Sequence, residues 1–139
     1  MTPEQNLRVK ALRTRSDRAE IFNYVIDHLR KQGERSILAE VEHAGTLVCA
    51  YRGDEGTMCA VGALITDDEY QFHWEGQAID NLLKQSDLPP TLHKCLTQHE
   101  SMLFELQTFH DGGLVYEDCV FNDDSEDRVA VLRKKWDIQ

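Results

Sequence analysis

Two apolar runs divided by Gly53-Asp54-Glu55-Gly56 constrain this chain more than any other feature. TLVCAYR (46–52) and TMCAVGALI (57–65) are rich in β-formers, and a glycine-bounded acidic turn between such runs is the strongest hairpin signal present. An even loop sets Arg52 opposite Thr57, Tyr51 opposite Met58, Ala50 opposite Cys59 and Cys49 opposite Ala60. Neighbouring side chains alternate faces, so this register parts Cys49 from Cys59, whereas a one-residue bulge would bring them together. A lone hairpin is marginal in water, and its apolar side needs helices to cover it.

Those helices are legible. Asp17 with Glu20 has capping-box spacing, Phe22, Val25, Ile26 and Leu29 form one stripe, and Gly33 is a natural stop. A helix is expected from Trp74–Glu75 with Ile79, Leu82 and Leu83 on one side, ended by Leu88-Pro89-Pro90, with Thr91 as the next cap. Leu92, Cys95, Leu96, His99, Met102, Leu103, Leu106 and Phe109 keep helical period up to Gly112-Gly113. LVYEDCVF (114–121) reads as a short third strand. NDDSED then opens a last helix with Val129, Leu132 and Trp136 inward and Arg133, Lys134 and Lys135 at the end the macrodipole favours. The expectation is an α+β fold, an antiparallel β-hairpin packed against three to four amphipathic helices. Residues 1–15 form a basic N-terminal arm and residues 16–139 a single domain.

Charge limits the partners. Residues 1–35 carry eight basic and five acidic side chains; residues 36–139 carry seven and twenty, a net of −13. Such a body repels phosphate and favours a basic protein surface, so direct nucleic-acid binding is not expected. No apolar run approaches the roughly 18 residues of a membrane span, and the N-terminus has no apolar block like that of a secretory signal. A cytoplasmic protein is expected, with its four cysteines reduced.

The cysteines have no C-x₂₋₄-C pair, so neither a zinc site nor any other metal or cofactor is expected. Cys95 and Cys119 fall where small buried thiols are common. A thiol hydrolase is the enzymatic alternative: Cys59 as nucleophile near Gly62, His110 as base and Asp111 as its orienter. Adjacent helical residues point about 100° apart, so Asp111 is poorly placed for that role. Packing is the preferred role for Cys59.

Asp67-Asp68-Glu69 beside His73 could bind a divalent cation, but consecutive carboxylates on a turn more often face water or cap a helix. His99, on the apolar stripe, reads as a core imidazole, while His43 and His93 lack partners at useful spacing. Tyr51 and Arg52 beside the turn, and Trp74 at a helix start, are candidate recognition residues. Glu55, Asp67, Asp68, Glu69, Glu117, Asp118, Asp123 and Asp124 are the candidate acidic face.

Five blocks then occur in order: Cys49-Ala50-Tyr51-Arg52-Gly53; Cys59-Ala60-Val61-Gly62-Ala63-Leu64-Ile65; Asp68-Glu69-Tyr70; Trp74-Glu75-Gly76; and Leu106-Gln107-Thr108-Phe109-His110-Asp111. In these the chain resembles a family of small uncharacterised phage and prophage proteins, over roughly residues 20–111. Thr66 departs from the pattern where a proline often follows the isoleucine, and Trp74 stands where methionine is usual. The basic arm and the tail after Gly112 lie outside it. The resemblance carries no activity with it. It implies an accessory protein in a bacterial host cell that binds, and could inhibit, a host or defence protein with a basic surface. Self-association through the basic arm, giving a homodimer, is a further expectation.

Overall fold

The computed structural model describes residues 1–37, 50–110 and 121–139. Its elements run α1 (Pro3–Arg15), α2 (Arg18–Gln32), a loop-rich middle, α3 (Ile79–Leu82), α4 (Pro90–Gln98), α5 (Glu100–Thr108) and α6 (Asp123–Lys135). Among the described residues there is no strand ladder, which corrects the expected α+β fold and its hairpin to a helical one. The third strand over 114–120, the Gly112-Gly113 break and the Cys49–Ala60 pairing lie outside the described residues, as do Asp111, Glu117, Asp118 and Cys119.

The arm residues are α1. Thr2 Oγ1 accepts the Gln5 N–H (3.1 Å), the Gln5 side chain accepts the Thr2 N–H (2.7 Å), and Pro3 sits at the first helical position. Val9, Leu12 and Arg13 are buried as α1 packs on α4 and on a 3₁₀ turn at Gly62–Leu64. Ser16 (φ 52°) ends α1, and Asp17 immediately caps α2 by accepting the Glu20 N–H at 2.9 Å. Only that half of the capping box forms, since the Glu20 carboxylate turns to Arg15. The Phe22–Leu29 stripe is buried and Gly33 (φ 75°) closes the helix.

The expected second strand winds up instead. Cys59 N–H still reaches the Ala50 carbonyl (3.2 Å), but Ala63, Leu64 and Ile65 then donate back to Cys59, Val61 and Gly62, which are helical-turn bonds. Cys59–Ile65 is buried throughout, and a short run buried on every side has no periodicity to distinguish strand from turn. Gly62 fixes the choice: a Cβ there would lie 2.3 Å from the Tyr51 carbonyl oxygen. The helix expected from Trp74–Glu75 shrinks to α3, because Phe72–Trp74 is one 3₁₀ turn and Gly76 takes φ 80°.

The long helix expected from Leu92 breaks into α4 and α5 at His99 (φ −116°, ψ 24°). His99 Nε2 donates to the Ser16 carbonyl at 2.8 Å, tying the break to the α1–α2 junction. Leu92, Cys95, Leu96, Met102, Leu103 and Leu106 stay buried across it, so the apolar stripe gives no sign of the kink. Pro89 rather than Thr91 precedes α4. Asn122 caps α6 reciprocally with Ser125, Val129 is buried, and Leu132 and Trp136 pack on the core.

Replacing Gly62 by Ala is expected to cost about 2 kcal/mol in urea unfolding, as overpacking does. Gly56→Asn should stay within about 0.5 kcal/mol, since φ is 76° there, asparagine tolerates that region and nothing lies within 4 Å of an added Cβ. A strand at 59–65 would instead tolerate or favour alanine at 62.

Candidate functional site

The acidic turn after Ile65 meets cations of its own chain. Arg13 leaves α1 towards the body, 1% exposed, and binds Glu69 through two bonds (Nη1–Oε1 2.6 Å, Nη2–Oε2 2.9 Å). It also donates to the Leu64 carbonyl (3.2 Å) and to Thr91 Oγ1 (2.6 Å), Thr91 lying inside the first turn of α4. Burial pushes the Glu69 carboxyl up, and the Arg13 and Thr66 bonds more than offset it, holding it below the usual range. Asp67 meets the Met1 amino group (2.6 Å) and Arg52 (2.9 Å), and Asp68 meets Lys10 (3.2 Å). His73 pairs with Asp87 at 2.9 Å, away from the three turn carboxylates. Among the described residues no three such ligands group as a metal would need.

Tyr51 and Arg52 are structural in this arrangement. Tyr51 is buried and its hydroxyl donates to the Gln77 carbonyl. The Arg52 guanidinium donates to the carbonyls of Tyr51 (3.1 Å), Gly62 (2.8 Å) and Ile65 (2.6 Å) and stacks over the Tyr70 ring at 5.3 Å. Glu75 accepts the backbone N–H groups of Tyr51 (2.9 Å) and Arg52 (3.0 Å) and the Tyr70 hydroxyl (2.5 Å). Burial foremost, then Glu75, keeps Tyr70 protonated far above its ordinary range. Trp74 is fully buried, with Nε1 donating to Asp87 at 2.9 Å. Residues of four of these blocks thus meet around Arg52 and Glu75, and Gln107 of the fifth accepts the Val61 N–H at 3.0 Å.

Cys59 and His110 are both at 0% exposure. The Cys59 sulphur accepts the Gly62 N–H at 3.3 Å. His110 Nε2 accepts the Ser36 N–H at 3.1 Å, so the ring proton sits on Nδ1, which finds no partner among the described residues. Burial, with Arg35 and His28 nearby, lowers the imidazole to about 3. The result is a neutral, buried imidazole and a buried thiol.

The described surface carries carboxylates together with exposed cations such as Arg8, Arg18, Lys31, Lys84, Lys94 and Arg128. Glu55, Asp123 and Asp124 are exposed, and among the described residues none is in an ion pair. Sequence reasoning missed Asp80, Glu100 and Phe104, which share a cavity wall. The available signal was that Phe104 falls off the apolar stripe of its helix. No family model, curated protein or solved structure matches this chain.

A histidine lowered on folding stabilises fully above its unfolded value of about 6.5, and that stability is lost as pH falls towards its folded value. His28, lowered chiefly by burial, acts in the same direction. Between pH 7 and pH 5 the wild type should therefore lose about 1–2 kcal/mol more than His110→Gln in urea unfolding. Parallel pH profiles would contradict the buried, neutral His110.

Proposed function

We propose that this chain is a small non-enzymatic binding module whose acidic exterior engages a basic surface on a partner protein. The observation that carries the reading is how the charges are distributed. Lys10, Arg13, Arg15, Arg30, Arg52 and Lys135 each pair with a carboxylate of the same chain. Those six pairs cancel, and the other nine lysines and arginines stand against nineteen other carboxylates, Glu55, Asp80, Glu100, Asp123 and Asp124 among them, which makes the net −10. A field of that sign steers cationic surfaces inward and phosphate outward. The phage-like blocks point to a host or defence protein as the partner, with inhibition as the effect. The buried Cys59 and His110 favour this reading over a thiol hydrolase. No described helix is long and apolar enough to cross a membrane.

Capture by the tagged chain from bacterial lysate should enrich basic proteins. It should fade as salt rises from about 0.1 M to about 1 M, where the screening length falls from about 10 Å to about 3 Å. Captured proteins with no basic bias, held equally at both salt levels, would contradict the proposal.

A further inference from the structure

We infer that the groove between α3 and the outward side of α5 docks a cationic peptide segment of the partner that carries an apolar side chain. This rests on the acidic-module reading and locates its contact. The groove is a cavity of about 430 Å³ walled by Ile79, Asp80, Glu100, Ser101, Phe104 and Glu105. Ile79 is buried, at 3% exposure, and Phe104 stands open at 58%. Leu7, Phe72 and Val131 are also exposed, as isolated surface apolar residues commonly are. Phe104 stands on a cavity wall among carboxylates.

Charge complementarity selects the occupant. Three carboxylates and no lysine or arginine line the walls. Glu105 is held by Lys135 and by Trp136 Nε1 (2.6 Å), whereas Asp80 and Glu100 have no ion pair among the described residues. An apolar side chain can settle on Ile79 and Phe104 while flanking arginines or lysines meet Asp80 and Glu100 or stack on the open ring. A phosphate-bearing ligand would be repelled by Asp80 and Glu100.

The test is fluorescence anisotropy with the full chain and a dye-labelled peptide in which two leucines are each flanked by arginines. Wild type should bind it at low salt, and a peptide with serine for leucine should bind more weakly. Phe104→Ser and Ser101→Arg, both at exposed positions, should each weaken binding about tenfold or more without moving the thermal midpoint. Asp80→Asn with Glu100→Gln should weaken it comparably and flatten its salt dependence. Glu34→Gln with Asp127→Asn removes the same charge elsewhere and should leave affinity unchanged. Equal weakening by both double variants, with Phe104→Ser silent, would overturn the groove and leave the module reading standing. Failure of wild type to bind the peptide would also overturn the groove; if lysate capture of basic proteins fails too, the module reading falls with it. A concentration-dependent dimer abolished by Phe104→Ser would assign the groove to a second copy, against the proposal.

Discussion

The fold depends on two charged side chains standing in for a sheet. Residues 50–78 cross the centre of the molecule without regular secondary structure beyond single 3₁₀ turns. Each buried backbone group left unpaired there would cost about 1–3 kcal/mol. Arg52 takes carbonyls from both sides of the crossing, and Glu75 takes the two amides next to it. Hydrogen bonds to charged groups are stronger than neutral ones, so one guanidinium and one carboxylate can organise several peptide groups. Arg13 repeats the device from α1, joining the Leu64 carbonyl to Glu69 and Thr91. His28 and Gln32 of α2 hold the backbone of Met58 in the same way, at 2.8–3.0 Å.

Local chemistry was readable where it is local. The ends of α2 and the charge bias of α6 follow from caps, a glycine and the macrodipole, all written within a few residues. The middle was not, because its partners are distant: Glu75 is more than twenty residues from the amides it accepts, and Arg13 more than fifty from Glu69. CAVGALI has the β-forming composition of a strand, yet the groups that satisfy its backbone are side chains from elsewhere. A sign was nevertheless present. Arg52 is the sole lysine or arginine between residues 36 and 83, where a cation among so many carboxylates and buried carbonyls is drawn inward.

The same physics divides the candidate residues. Tyr51, Arg52, Asp67, Glu69 and Trp74 looked like recognition residues because charge and aromaticity beside a turn usually face a ligand. Each is instead bonded within the chain. Glu55, Asp123 and Asp124 remain outward. Phe104, exposed beside Asp80 and Glu100, sits on the outward side of a helix whose inner stripe carries the regular apolar pattern. The described scaffold thus draws in Arg13, Arg52, Tyr51 and Trp74, while the exterior carries most of the other lysines and arginines among a larger number of carboxylates.

The most direct test of the capped crossing is amide hydrogen exchange at Tyr51 and Arg52 in wild type and in Glu75→Gln. The account predicts that both amides are well protected in wild type and lose protection selectively in the variant, while the α2 amides at Val25–Leu29 keep theirs. Unchanged protection at Tyr51 and Arg52, or an alternating pattern across 50–52 and 57–61 as in a paired strand, would contradict it.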